Sequence, residues 1–128
     1  MKILFAAPDR DLLECYRQLF ETDLGETVTA FDGTQVLSLL SDESFDLLIL
    51  DRKIPRVDDR TIIQRAKGKA VPVVLLTDEP GGVRNGEEPL PDGTLSYPFS
   101  FDRIKETVLR TLETRRREER TEPDHEDE

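Results

Sequence analysis

The stretch FDLLILDRKIP, residues 45 to 55, decides the fold of this chain. Its centre, LLIL at residues 47 to 50, is apolar at four consecutive positions, so neither face of the segment is polar. Such a run is typical of a strand inside a parallel sheet, because helices cover both faces of that kind of sheet. The sequence therefore predicts a buried central strand that is followed directly by Asp51.

Short apolar runs of the same kind alternate with amphipathic helical patterns along the rest of the chain. The pattern predicts strands at 2–6, 27–30, 47–50, 71–76 and 94–96, and helices at 12–20, 34–40, 60–67 and 101–112. Strands that alternate with helices form right-handed βαβ units. We therefore expect an α/β fold, a flavodoxin-like doubly wound five-stranded parallel sheet with strand order 2-1-3-4-5.

Two segments depart from this alternation. Residues 78 to 93 contain four Gly and three Pro, so the fourth helix is predicted to be short or replaced by a loop. Residues 115 to 128 carry four Arg and seven acidic residues but no large apolar side chain. We expect one domain over 1–114 and, over 115–128, a charged helix end and a disordered tail. The alternative for its RRREER segment is a docking site.

The composition restricts the class of protein. A net charge of −10 repels phosphates, which argues against direct nucleic-acid binding. No apolar run approaches the roughly 20 residues that span a bilayer, and charge interrupts the start too early for a secretory signal, so we expect a cytoplasmic protein without a membrane segment. The excess of 13 Arg over 5 Lys on an acidic chain suits a high-salt cytoplasm, a halophile hypothesis. The lone Cys15 is predicted to be a packed helix residue.

In a doubly wound sheet, ligands lie at the carboxyl ends of the strands. Those ends are Ala7-Pro8-Asp9, Asp51, Thr77-Asp78 and Tyr97-Pro98. Burying a carboxylate without partners is costly, so an Asp after an apolar strand either caps the following turn or is kept for chemistry. Spacing alone leaves both interpretations of Asp51 open.

Four segments together resemble the receiver domains of response regulators in two-component signalling, and the resemblance covers about residues 2 to 113. They are KILFAAPDRDLLECYRQLF for the first strand and helix, FDLLILDRKIP for the phosphoacceptor strand and loop, VPVVLLT for the fourth strand and SYPFS for the fifth-strand turn. The resemblance implies that Asp51 is the phosphoacceptor and that the hydroxyl of Thr77 meets the phosphate. It also implies Mg²⁺ held by Asp51, Asp9 and the backbone carbonyl of Lys53. The implied partners are a histidine kinase or a downstream signalling protein, and a homodimer would fit the family.

Three departures from the family, at four positions, act against charge neutralisation, which phosphoryl transfer requires. Ala7 and Pro8 stand where the family has a pair of acidic residues, so the expected Mg²⁺ site is doubtful. Tyr97 replaces the family's Lys before Pro-Phe. Asp78 stands where a small residue is usual, and its carboxylate would repel a phosphate dianion.

Other side chains near Asp51 could offset these losses only in part. Asp9 lies one residue beyond the missing acidic pair, and we expect it to cap the following helix rather than bind metal. Lys53 is predicted to direct its ammonium at Asp51, as a partner for the buried carboxylate rather than as a phosphate ligand. Arg52 and Arg56 are predicted to be solvated loop residues.

These observations favour an atypical receiver that is not an enzyme and that acts as a protein-binding module, with Mg²⁺-dependent phosphorylation impaired or absent. The alternative is a conventional phosphorelay receiver, phosphorylated on Asp51 by a histidine kinase. An aspartate-nucleophile phosphatase would need a second acid two residues after Asp51, and Lys53 is not one.

Overall fold

The computed structural model describes the backbone of residues 1–79 and 89–126, and the side chains of residues 1–79 and 89–118. Within these ranges the strands are β1 (Lys2–Ala6), β2 (Glu26–Ala30), β3 (Leu47–Asp51), β4 (Val73–Thr77) and β5 (Gly93–Ser96). The helices there are α1 (Arg10–Asp23), α2 (Gly33–Asp42), α3 (Asp59–Gly68) and α4 (Phe101–Glu126). All strand pairs are parallel and their order is β2-β1-β3-β4-β5, which confirms the predicted fold class.

Two apolar layers enclose the sheet. Because successive side chains of a strand point to opposite faces, alternate residues of β3 enter different layers. Leu48 and Leu50 pack in the layer under α2 and α3, whereas Leu47 and Ile49 pack in the layer under α1 and α4. Every residue of β3 is buried, as the apolar run predicted.

The strand register places the predicted site at one edge of the sheet. Asp51 pairs with Leu76, which puts it beside the end of β4, and Thr77 pairs with Ser96 at the end of β5. The loop after β3 is seated on the start of α2. There the Gly33 N–H donates to the carbonyl of Pro55 at 2.8 Å, and a Cβ on Gly33 would lie 2.6 Å from the Cβ of Val57.

The prediction for Cys15 is wrong, because its side chain is exposed. The inward face of α1 is formed by Leu13, Tyr16 and Phe20. Successive helix residues are turned by about 100° from each other, so Cys15 points away from the layer that Tyr16 enters. Among the described residues no helix is both long enough and apolar enough to cross a membrane.

The last helix is longer than expected. It continues to Glu126, so the segment for which we expected a disordered tail is helical as far as that residue. Ion pairs one turn apart, such as Arg117 with Glu113 at 3.4 Å, favour its continuation. The domain boundary at residue 114 stays a prediction. The prediction for the fourth helix falls largely on residues 80–88, which lie outside the described residues.

Candidate functional site

Asp51 closes β3 with its side chain inside the protein. The residue is 4% exposed, and its Oδ1 accepts a hydrogen bond from the backbone N–H of Lys53 at 2.8 Å. The carbonyl of Asp51 accepts from the N–H of Ile54 at 3.1 Å. Asp51 therefore caps the turn that follows its strand, one of the two roles that its spacing left open.

The second oxygen of Asp51 is bound by Tyr97, a contact between residues 46 positions apart in the chain. The Tyr97 hydroxyl donates to Oδ2 of Asp51 across 2.5 Å. Hydrogen bonds from a hydroxyl to a carboxylate are short and strong, because the acceptor carries a full charge. Each oxygen of the buried carboxylate thus has a donor.

Two contacts fix the position of Tyr97 after β5. Its backbone N–H donates to the carbonyl of Thr77 at 2.8 Å, which extends the β4–β5 pairing by one residue. Its ring packs on Phe99, with 4.4 Å between the ring centroids. The phenol is therefore held between two strands and directed at the end of a third.

Burial and the neighbouring Asp51 carboxylate raise the pKa of the Tyr97 hydroxyl, burial being the larger cause. Both causes act in the same direction, because burial and the negative charge of Asp51 each disfavour the charged phenolate. At neutral pH Tyr97 is therefore a neutral hydrogen-bond donor. It cannot supply the positive charge of the Lys that response-regulator receivers have at this position.

The raised pKa of Tyr97 predicts how stability depends on alkaline pH. An unfolded tyrosine ionises with a pKa of about 10, whereas Tyr97 in the folded protein stays protonated above that pH. The contribution of Tyr97 is fully present below pH ~10, and the free energy of unfolding falls as pH rises above it. The tyrosinate absorbance of Tyr97 should therefore appear only together with loss of the far-ultraviolet circular dichroism signal. An ordinary titration of Tyr97 in the folded protein would contradict this prediction.

The titration has an internal reference. Burial also raises the pKa of Tyr16, and the chain has only two tyrosines and no tryptophan. In a Tyr97→Phe variant the remaining signal belongs to Tyr16, so the difference between the two titrations isolates Tyr97.

Thr77 lies at the end of β4 and is 1% exposed. Its Oγ1 accepts a hydrogen bond from the backbone N–H of Glu79 at 3.0 Å. The structure thus brings Thr77 to the sheet edge where Asp51 and Tyr97 meet. Its oxygen caps the turn after its strand, as Oδ1 of Asp51 does after β3.

The expected pairing of Lys53 with Asp51 is wrong. The Lys53 ammonium lies 3.2 Å from Oδ2 of Asp78, and the two side chains are 65% and 58% exposed. Asp51 is buried and its Oδ2 is occupied by Tyr97, so the long Lys53 side chain finds the exposed carboxylate at the end of β4 instead. The Lys53 ammonium lowers the pKa of Asp78 and offsets the negative charge expected there.

The loop arginines are not simply solvated. Nη1 of Arg52 lies 3.4 Å from Oδ2 of Asp59, and only 9% of the Arg52 side chain is exposed, which corrects the prediction for Arg52. Arg56 is 70% exposed, but its Nε lies 3.3 Å from Oδ2 of Asp32. Sequence reasoning did not identify Asp32 and Asp59. Their position at the starts of two helices after the strand ends was the available indication.

Asp9 caps α1, as its sequence position predicted. One carboxylate oxygen accepts from the N–H groups of Asp11 and Leu12 at 3.0 and 3.2 Å, and Pro8 and Asp9 are exposed. Ala7 is completely buried. The strand end that would supply the first metal ligands therefore offers an alkyl group, a ring and a carboxylate engaged with its own helix.

These donors do not fit a Mg²⁺ site of the kind the resemblance implies. Mg²⁺ requires several oxygen ligands in near-octahedral geometry. Among the described residues no three Asp, Glu, His or Cys side chains are grouped so that they could hold a metal ion. Oδ2 of Asp51 meets a phenol, and an Asp9 oxygen is bonded to two backbone N–H groups.

Comparison with known proteins agrees with this architecture. Sporulation initiation phosphotransferase F of Bacillus subtilis is 28% identical over 116 residues, 87% of this chain and 93% of that protein. Transcriptional regulatory protein CpxR of Escherichia coli is 36% identical over 77 residues, 59% of this chain, and the match spans only about a third (33%) of CpxR. No family model matches.

Solved structures of receiver domains have the same fold as this chain. The receiver domain of Francisella response regulator 1452 superposes with a TM-score of 0.75 at 25% identity, covering 88% of this chain and 97% of that one. The strand order, the aspartate at the end of the central strand and these relatives all point to one family. The relatives and the solved structures together support a receiver domain of the response-regulator type, the family that works in two-component signalling.

Proposed function

We propose that this receiver domain is an atypical, non-enzymatic member that works as a protein-binding module, with Asp51 at the phosphoacceptor position but with phosphorylation impaired or absent. The observation that carries this proposal is the hydrogen bond from the Tyr97 hydroxyl to Oδ2 of Asp51. It occupies an oxygen that would have to attack a phosphoryl group.

Electrostatics support the proposal. Transfer of a phosphoryl group depends on cations that neutralise its equatorial oxygens. Tyr97 offers a neutral hydroxyl there, and Ala7 and Pro8 offer no ligand for Mg²⁺. The ammonium of Lys53, two residues after Asp51, is engaged with Asp78, and a phosphate that used this cation would have to separate that pair.

Two contacts that hold the site in one arrangement also favour a role in which the domain binds partner proteins through its surface. Asp51 is tied to β5 through Tyr97, and Lys53 is tied to the end of β4 through Asp78. A phosphoryl group would need to displace the first contact and enter past the second. A domain held in one arrangement can still present a binding surface to a histidine kinase or a downstream signalling protein.

A conventional receiver, phosphorylated on Asp51 by a histidine kinase, is the second candidate. It is favoured by Asp51 and Thr77, which lie at adjacent strand ends, and by a relative whose name describes a phosphotransferase. On that view Tyr97 would leave Asp51 when a phosphodonor arrives.

Intact-mass spectrometry separates the two candidates. The chain is incubated with acetyl phosphate and Mg²⁺, and an Asp51→Asn variant is treated in parallel. We expect both proteins to keep their unmodified mass. A near-stoichiometric phosphoryl adduct on the native chain that is absent from Asp51→Asn would establish the conventional receiver instead.

A further inference from the structure

The exposed side of α3 carries positive charge on a chain whose net charge is −10. Four exposed cations lie between positions 60 and 69, and that segment contains no acidic residue. We call them the basic face of α3: Arg60, Arg65, Lys67 and Lys69. The buried side of the same helix is formed by Ile62, Ile63 and Ala66.

Several arginines of the other helices have acidic partners on their own helix. In α1, Arg17 is bonded to Glu14 and Glu21, and in α4, Arg110 is bonded to Glu106. Within the part of the chain that the structure describes, the basic face of α3 makes no ion pair within 4.0 Å. Asp58 caps the helix, and its pKa is lowered first by the hydrogen bonds from Thr61 and to a smaller degree by the charge of Arg60.

A helix accounts for some of these cations by itself. Basic residues in a last turn interact favourably with the helix dipole, by about 0.3–1 kcal/mol each. Arg65 and Lys67 occupy the last turn of α3. The dipole does not account for Arg60 at the other end of the helix. Nor does it explain why acids are missing one turn away on a chain that is rich in them.

A shallow depression lies beside two of these cations, Arg65 and Lys69. Gly68 has no side chain, and a Cβ added there would meet no atom within 4 Å. The resulting depression has a volume of about 330 Å³ and is lined by Thr61, Gln64, Arg65, Gly68 and Lys69. Its lining includes two cations, an amide and a hydroxyl, all of which can bind carboxylate oxygens.

This face is connected to the site at the sheet edge. Arg52 directly follows Asp51 and pairs with Asp59, the first residue of α3, and both side chains are largely buried at 9% and 18% exposed. A ligand on α3 therefore binds an element that is joined to the phosphoacceptor loop.

We propose that the basic face of α3 binds an acidic segment of a partner protein. This proposal names the partner chemistry for the protein-binding role above and rests on that role. A nucleic acid fits less well, because α3 has ten residues and is about 15 Å long. Duplex DNA carries a charge every ~1.7 Å, and it would extend beyond the patch onto the acidic remainder of the chain.

The test uses the full chain and a fluorescent 12-residue oligo-glutamate peptide as probe. Fluorescence anisotropy at low salt gives the affinity, and chemical shifts of backbone amides locate the probe. We expect the shifts to fall on residues 60–69. Replacing two cations in a Arg65→Gln/Lys69→Gln variant should weaken binding about fivefold, as expected for the loss of two exposed ion pairs.

The matched control is Arg110→Gln/Arg116→Gln on α4, which changes the net charge equally and replaces side chains that are 67% and 70% exposed. It should change affinity by less than about twofold, since neither residue lies on α3. Equal losses in both variants, or shifts away from α3, would overturn the proposal. Tighter binding of a single-stranded oligonucleotide of equal charge at α3 would do the same. A phosphoryl adduct on Asp51 would instead overturn the proposed function and leave the probe result standing.

Discussion

Replacing Tyr97 with Phe should lower the free energy of unfolding by about 2–3 kcal/mol. The substitution keeps the ring that packs on Phe99 and removes only the hydroxyl that donates to Asp51. Asp51 is 4% exposed, so water cannot easily replace the lost donor. Denaturant unfolding at neutral pH measures the change.

The other tyrosine gives the control for the Tyr97 substitution. Tyr16 lies in an aromatic cluster with Phe5, Phe20 and Phe101, and none of its described contacts is a hydrogen bond from its hydroxyl. Tyr16→Phe should therefore change stability by less than ~0.5 kcal/mol. A double-mutant cycle between Tyr97→Phe and Asp51→Ala should show a coupling of at least ~1.5 kcal/mol. Independent effects of the two substitutions would show that the Tyr97–Asp51 contact does not hold the site together.

Restoring the missing charges should produce a chain that accepts phosphate. We expect an Ala7→Asp/Pro8→Asp/Tyr97→Lys variant, incubated with acetyl phosphate and Mg²⁺, to change from no adduct to a predominantly phosphorylated protein. The two carboxylates would supply oxygen ligands for Mg²⁺, and the ammonium would meet the phosphoryl oxygens. Removing the phenol also frees Oδ2 of Asp51. Intact-mass spectrometry follows the gain.

The controls separate chemistry from folding. Adding Asp51→Asn, or removing Mg²⁺ with a chelator, should abolish the adduct. Ala7 is fully buried and Pro8 is exposed, so a Pro8→Asp/Tyr97→Lys variant avoids burying a carboxylate at residue 7. If both variants keep their helix content and Tm but remain unmodified, the missing charges are not what prevents phosphorylation.

Much of the fold could be predicted because it depends on patterns between neighbouring residues. The fully apolar LLIL run indicated a strand that is buried on both faces, and apolar residues at a period of 3.6 indicated the helices between such strands. Together they placed Asp51 at the end of a central strand. The same reasoning was wrong for Cys15, because a single position within a helical pattern is less certain than the pattern itself. The exposed side of α1 was fixed by its aromatic neighbours.

For the chemistry of the site, the sequence predicted only which of the family's functional groups are missing. The residue types at Ala7, Pro8 and Tyr97 showed that ligands and a cation were missing. They did not show what had replaced them. A phenol in place of an ammonium near a buried carboxylate was the one available indication of the Tyr97–Asp51 hydrogen bond, and its meaning depended on where the two strands end.

The sequence by itself thus determined the parallel sheet, the strand ends that meet at one edge and the loss of the expected charges. Only the tertiary structure decided the pairings: Tyr97 with Asp51, Lys53 with Asp78 and Arg52 with Asp59. The physical reason is the separation in sequence between the residues that interact. Burial follows from local periodicity, whereas a hydrogen bond across 46 residues requires the sheet register and the side-chain rotamers to bring two atoms within about 3 Å.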